Sequence, residues 1–514
     1  MNLRALLFLL LAIHAACAQS TLYTVENNGP RSQRINIVFL SEGYTAAELP
    51  NFSGHVNAAV NYLFSREPWM QYRSYCNVFR IEIASNQSGA DNGTAGGSRD
   101  TYFSAGFNNS SVPQLLTIEG LGPSRAYSLL NQHVPEYHIP IVLVNDVKYG
   151  GSGGSISVAS VHSQGVLVVE HEIGHSFAGL ADEYDIDYPG YFPAEKPNNT
   201  AQTARNLIKW NVWIDATTPG GTPVDPPGTP IGTPETAEYD SLVGLFEGSM
   251  YRTSGQYRPH NNSLMRSLNR PVGNVNREQF VLSIYSRIDA VDGWTPGTTS
   301  FSVNNFQHLA FNLTAKQPTT GSVQTNWYLD NQLVSGLPAN TFAVISDVLG
   351  NGTHTVRSQT DDATTFVRND PSQYLKQSVT WTITLSNQLP ATIAAWRAAY
   401  GSDTDNPAHD GYLNLAKYAL GTIPTQPIGS TQRPFASLTP GSGTDQYLTL
   451  NVPRRTRRSD VTTEVQISEN LAMWNSGAGY TVTLEDRDDL LVVRDATPMG
   501  TGPNRSMRVR VTAP

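Results

Sequence analysis

Cysteine, charge and long apolar runs are all scarce in this sequence. Cys17 and Cys76 are the only cysteines in 514 residues, charged residues make up 15% of the chain, and no dense Lys/Arg block occurs. A net charge of −9 spread so thinly makes nucleic acid and anionic membrane poor partners. The apolar run from Ala5 to Ile13 is too short to span a bilayer. It follows Arg4 and precedes Ala16-Cys17-Ala18, the layout of a signal peptide cleaved after Ala18. A lipidated Cys17 is the alternative, opposed by His14 where a lipoprotein signal carries Leu. Cleavage leaves Cys76 alone, so the mature chain can form no internal disulfide and must draw stability from packing, with bound metal as a further source. Export therefore rests on the leader alone, since no paired cysteines advertise an oxidising compartment.

Glycine and proline are plentiful instead, at 42 and 32 residues, within Thr, Ser and Asn-rich sequence typical of β-rich extracellular chains. The length predicts about three or four folding units. In the first, Ile35 to Leu40, Val78 to Ala84 and His138 to Asn145 read as strands separated by helical stretches, an α/β arrangement with the third strand covered on both faces. Helical periodicity fades after about Gly293, and Val323 to Leu329 alternates apolar and polar residues with period two, as in a β-sandwich. Near Leu389 a short helical pair, Trp396 to Tyr400 and Leu413 to Leu420, precedes further strands from Tyr447 to Val511. In that region Asp403, Asp405 and Asp410 suggest a calcium loop, but Pro407 takes the place of a ligand. Arg454, Arg455, Arg457 and Arg458 read as a solvated strand end.

The chemistry is concentrated in VLVVEHEIGHSFAGLADEY, residues 166 to 184. At about 100° per residue, Val166, Val169, Ile173, Phe177 and Leu180 form one stripe, while His171 and His175 lie about 40° apart on the opposite side. Imidazoles at i and i+4 can bind one ion together, zinc by preference, with Glu172 beside them to take a proton from activated water. A bare HExxH pattern also arises by accident. Here Gly179 can break the helix, and Asp182 three residues further can fold back as a third ligand, with Glu183 as its rival.

The wider sequence resembles the IgA-peptidase-type family of zinc metallopeptidases, a metzincin-like group. INIVFLSEGYTAAEL, FSREPWMQYRSYCNVFRIEIASNQSGAD, YGGSGGSISVAS and HEIGHSFAGLADEY occur in the family's order, over roughly residues 30 to 285. Metzincins place the third ligand six residues after the second histidine, whereas Asp182 lies seven after His175, with Gly179 displaced equally. GQYRPHNNSLMRS resembles the family segment that passes beneath the metal, which would make Met265 a packing residue there. Tyr257 is a candidate oxyanion stabiliser, with a core or surface tyrosine the favoured reading. YGGSGG lacks the Lys-Ser/Thr ending of a phosphate loop and reads either as a rim beside an edge strand, where an extended peptide could pair, or as a plain surface loop. Residues 293–387 resemble an Ig-like or PKD-like module, and TEVQISENLAMW with SMRVRVTAP resembles a carboxy-terminal β module of exported bacterial enzymes.

These observations predict a leader (1–18), an α/β (α+β) metzincin-like zinc peptidase domain (19–292), an Ig-like β-sandwich (293–387) and a helical segment with a carboxy-terminal β module (388–514). The expected function is that of a secreted zinc endopeptidase in which His171, His175 and Asp182 hold one zinc ion and Glu172 is the general base. Its partner is a polypeptide substrate, with cell-surface or glycan contact through the carboxy-terminal modules and a periplasmic or surface location as the alternative to full secretion. The rival expectation is an exported adhesion or carbohydrate-binding protein that keeps a peptidase-like scaffold without catalysis.

Overall fold

The computed structural model describes residues 19–92, 97–109, 112–188, 190–214, 242–321, 323–502 and 504–514, so the expected leader and Cys17 lie outside the described residues. The fold is mixed α/β, and the chain divides into two compact units. The first contains the residues up to Gly293 together with 314–325 and 359–378; the second contains 294–313, 326–358 and 379–514.

The first unit opens with β1 (Thr21–Glu26), β2 (Ile35–Glu42), α1 (Leu49–Leu63) and β3 (Cys76–Glu82). The short pair β4 (Ala105–Gly106) and β5 (Thr117–Ile118) leads to α2 (Gly122–His133), β6 (Ile139–Val144), β7 (Gly151–Ser152), β8 (Ser157–Ser160) and α3 (Gly165–Ser176). A hairpin of β9 (Phe246–Ser249) and β10 (Arg252–Arg258) and the helix α4 (Asn274–Tyr285) follow. The main sheet has the order β1-β3-β2-β6-β8-β7, parallel except for the outer strands β1 and β7. β2 is buried along its whole length because both faces are covered. Ile35, Ile37 and Phe39 pack with residues of α1, α3 and α4, while Val38 and Leu40 pack on the other face with residues of α2. Side chains on both faces are therefore mostly apolar, and Asn36, the one polar residue of INIVFL, is satisfied by the carbonyls of Arg31 and Glu136 at 2.8 and 2.7 Å.

Beyond α4, strands Val291–Thr295, His308–Ala315 and Thr341–Ile345 form one sheet, and Ser300–Asn304, Lys376–Ser386, Gly352–Asp362, Val323–Leu329 and Gln332–Val334 form another, with residues 291–293, 314–315, 323–325, 359–362 and 376–378 of these strands counted in the first unit. Aromatic rings from the two sheets meet: Trp327 stacks on Phe342 at 5.9 Å, and Trp381 lies 5.1 Å from Phe311. Beyond them are helices Ile393–Tyr400, capped by Thr392, and Asn414–Leu420, then the remaining strands. The carboxylates of the suspected calcium loop are already engaged. Asp403 pairs with Arg397 at 2.7 Å and Asp410 with Lys417 at 3.0 Å. Of the arginine cluster expected to be a solvated strand end, only Arg457 is exposed. Arg455 and Arg458 are drawn to the buried carboxylate of Asp347, at 2.6 and 3.5 Å, and Arg454 and Arg457 to Asp486.

The two later segments of the first unit supply partners that the earlier residues need. Asp292 pairs with Arg34 at 2.6 Å and with Lys316 at 2.7 Å. Together the two cations hold its carboxyl below the usual range against the opposing effect of burial. The rings of Tyr72, Tyr75 and Tyr285 meet edge to face, and the hydroxyls of Tyr72 and Tyr285 both lie 2.7 Å from Asp362 Oδ2. Val323 and Leu375 join the same apolar cluster as Ile35 and Phe39. Replacing Asp362 by Ala leaves the buried Tyr72 hydroxyl without its acceptor, at roughly 1–3 kcal/mol, and Tyr285 with only the Tyr75 hydroxyl at 3.0 Å. Asp362→Ala in the full chain should therefore lower the thermal midpoint of the first unit, and an unchanged unfolding curve would show that this anchor contributes nothing.

Candidate metal centre

The helix carrying the HEIGH sequence ends where a metal site needs it to end. α3 stops at Ser176, Gly179 adopts φ +65°, and the Leu180 amide turns back to the carbonyl of Gly174 at 3.0 Å. A left-handed φ costs glycine nothing, so Gly179 sets the chain on a return course past the histidines. Asp182 arrives there with Oδ1 at 3.2 Å from Nε2 of both His171 and His175, whose Nε2 atoms are 3.1 Å apart. The structure thus brings together the three residues expected as ligands, and their donor atoms are close enough to hold a single metal ion.

The hydrogen bonds on the far sides of the imidazoles fix the chemistry of the near sides. His171 Nδ1 lies 3.0 Å from the Leu264 carbonyl and His175 Nδ1 lies 2.9 Å from the Leu180 carbonyl. A carbonyl only accepts, so each Nδ1 carries a proton, and each ring, when neutral, turns its Nε2 lone pair inward. Two facing lone pairs and a carboxylate oxygen favour a cation between them. Without a metal a proton takes that cation's place: burial lowers the pKa of His171, but the hydrogen bond to Asp182 and the charges of Glu172 and Asp182 outweigh it and raise it to about 9, so a metal has to displace this proton to bind. Asp182 is held well below the carboxylate range by the two histidines, although burial pushes the other way. Donors 2.0–2.2 Å from a tetrahedral ion stand roughly 3.3 Å from one another, close to the separations found here.

Glu172 lies beside this centre and its side chain is almost wholly buried. Burial raises its pKa, and the two histidines oppose the rise. A Cβ added at Gly153 would fall 2.5 Å from Glu172 Oε2 and 2.9 Å from His175 Cδ2, so the chain after β7 passes close over both groups only because it lacks a side chain. The edge of β7 is less open than its sequence suggested. Gly151 exchanges backbone hydrogen bonds with Gln114 and Leu116 at 3.2 and 3.3 Å, which leaves Ser152 and Gly153 as the nearest backbone for pairing.

Met265 is fully buried, and a Cβ at Gly174 would fall 2.6 Å from its sulfur. The segment holding Leu264 and Met265 therefore packs under α3 and offers its carbonyls upward to His171 and to the Glu183 amide, the latter at 2.9 Å. Glu183 does not share the centre with Asp182. It is fully buried and accepts hydrogen bonds from Asn198 (2.9 Å), Ser263 (2.7 Å) and Asn276 (3.0 Å). Tyr257 packs against the Ile208 and Trp210 cluster, with its hydroxyl 3.5 Å from Glu247. The tyrosine that touches the centre is Tyr251, whose hydroxyl donates to Asp182 Oδ2 at 2.7 Å. No spacing rule connects residues 182 and 251, and the only sequence hint is a tyrosine on the same hairpin as Tyr257.

Residues 23–227 match the model of the IgA Peptidase M64 family. The IgA Peptidase M64 match contains His171, Glu172, His175, Asp182 and Glu183, and it ends before Tyr251 and Met265. The family is one of peptidases, in line with the resemblance carried by the sequence. No curated protein matches the chain. Among solved structures, bovine butyrophilin is similar at 10% identity over 42% of this chain and 89% of its own, with a TM-score of 0.13. A mutated variant of a three-Ig titin fragment is similar at 6% identity over 43% of this chain, with a TM-score of 0.12. The chain spans only 59% of that fragment. Likenesses this loose carry no argument about the fold.

The two adjacent carboxylates make different forecasts. Asp182→Ala should lose most of its retained zinc while the metal-free protein melts much as before. Glu183→Ala orphans three buried donors and should destabilise the metal-free protein by about 3–5 kcal/mol. Zinc analysis and thermal unfolding of both variants check this, and metal loss in Glu183→Ala with full retention in Asp182→Ala would reassign the ligand.

Proposed function

We propose that the chain is an exported zinc-dependent endopeptidase with a metzincin-like catalytic domain. The observation that carries this reading is the convergence of two Nε2 lone pairs and Asp182 Oδ1 within 3.2 Å, each imidazole locked by a carbonyl behind it. His171, His175 and Asp182 would hold the zinc. When bound, zinc supplies Lewis acidity, which makes water a nucleophile near neutral pH and polarises the scissile carbonyl. Glu172 accepts the proton of the attacking water and returns it to the leaving amine, a task favoured by a carboxyl that burial has made more basic. Gly153 keeps the space against that carboxyl free of a side chain.

The match to a peptidase family supports a polypeptide substrate, and the printed family name does not make immunoglobulin the target of this chain. Export is proposed on the leader layout of residues 1–18. Among the described residues no helix is long and apolar enough to cross a membrane.

Glu172→Gln keeps size and hydrogen-bonding capacity but cannot accept a proton. It should keep near-normal zinc content and melting behaviour while losing at least about a hundredfold in the rate of cleaving a denatured protein. Full activity in zinc-loaded Glu172→Gln would sink the mechanism, and an unmodified zinc-loaded chain without chelator-sensitive cleavage would favour the adhesion reading. Gly153→Ala places a methyl group against Glu172 and His175, so its rate should fall by about tenfold or more, the scale of small misplacements in an active site. A Gly153→Ala protein with unaltered kinetics would show that the close passage of this strand has no bearing on catalysis.

A further inference from the structure

The two oxygens of Asp182 have different surroundings. Oδ1 faces both imidazoles, whereas Oδ2 accepts the Tyr251 hydroxyl at 2.7 Å. Tyr251 reaches this position from 69 residues further along the chain, on the turn between β9 and β10. Met250 and Tyr251 in that turn have φ +49° and +58°, a left-handed conformation costing roughly 1–2 kcal/mol per non-glycine residue. The turn is fastened to the segment it serves. The Met250 amide donates to the Asp182 carbonyl at 3.0 Å and the Tyr251 amide to the Tyr184 carbonyl at 3.0 Å. The Tyr251 ring is also held by neighbours, with Tyr191 at 4.9 Å and Tyr184 at 5.6 Å, and Tyr184 stacks on His171 at 6.2 Å and 17°. Backbone and side chain of Asp182 are therefore gripped by one strained turn, and strain of this kind persists only where the surrounding contacts impose it.

We infer that Tyr251 is a positioning residue that reserves Asp182 Oδ2, so that the carboxylate meets the ion through Oδ1 alone and a coordination position stays open for water. This rests on the zinc reading above. A carboxylate binds zinc through one oxygen or two, and the second oxygen would occupy space that a hydrolytic site keeps for water. A hydrogen bond from a fixed phenol removes that second option and also limits rotation of the carboxylate away from the histidines.

The test compares the unmodified chain, Tyr251→Phe and Tyr191→Phe. Zinc affinity is measured by competition with a chromogenic chelator, and the visible absorption of each cobalt(II)-substituted protein reports coordination number. Thermal unfolding of the metal-free forms tells lost structure from lost coordination. Tyr251→Phe should bind zinc about 10–100-fold more weakly, the usual effect of removing a group that orients a ligand. Its cobalt bands should weaken as a fifth ligand atom enters, because four-coordinate cobalt(II) absorbs most strongly, and Tyr191→Phe should match the unmodified protein in both. A Tyr251→Phe protein with unmodified affinity and spectrum overturns the inference and leaves the zinc reading standing. Equal weakening in Tyr191→Phe also overturns it, since ring packing would then be responsible. An unmodified chain that takes up no stoichiometric zinc overturns the zinc reading itself.

Discussion

Two imidazole nitrogens face each other across 3.1 Å in this protein, and neither can turn away because a backbone carbonyl holds the opposite edge of each ring. That confrontation is unfavourable unless positive charge lies between the rings. The chain supplies the charge balance with one carboxylate oxygen and leaves the cation to come from outside. Several local features follow from this constraint. α3 must stop soon after His175, Gly179 must turn left-handed, and the backbone at Leu264 must pass close enough to accept from His171. Gly174 permits that passage because its missing side chain is replaced by the sulfur of Met265.

Adjacent carboxylates divide the remaining labour. Asp182 turns toward the histidines, and Glu183 turns into the interior, where Asn198, Ser263 and Asn276 satisfy it. An extended chain sends neighbouring side chains to opposite sides, so placing one carboxylate at the centre places the next in the protein. The second then ties the return loop to α4 and to the segment packed under α3, which fixes the first more firmly than the loop could alone. The same logic of shared anchors appears in the turn at Met250 and Tyr251, which binds both the backbone and the side chain of Asp182.

Much of this could be read from the sequence, and the limits have physical causes. INIVFL and HIPIVLV were legible as strands because a strand covered on both faces is nearly continuous in apolar residues. His171, Glu172, His175 and Asp182 were legible because helix periodicity and one glycine bring nearby residues together. Glu183 could be ranked but not placed, since two adjacent acids differ only in what surrounds them. Tyr251 was out of reach because a left-handed turn between two short strands leaves no periodic signal, and the contact spans 69 residues. The arginines at 454–458 looked solvated because their partners Asp347 and Asp486 lie elsewhere in the chain. Residues 314–325 and 359–378 are largely turns and loops that run on from sandwich strands, so nothing local assigns them to the first unit.

That last feature bears on the order in which the protein can assemble. All of the metal-centre residues, Tyr251 included, precede Gly293, yet the acceptor for Tyr72 and Tyr285 is Asp362 and the second cation for Asp292 is Lys316. Domains generally fold as units in the order of synthesis. Here the earlier unit is interleaved with the later one, so its hydrogen bonding is complete only after residue 362 has left the ribosome. Closing such an excursion adds little entropic cost, because that cost grows only logarithmically with loop length. The interval between making the candidate metal-centre residues and completing the core around them is therefore written into the order of the chain, independently of any cleavage or cofactor.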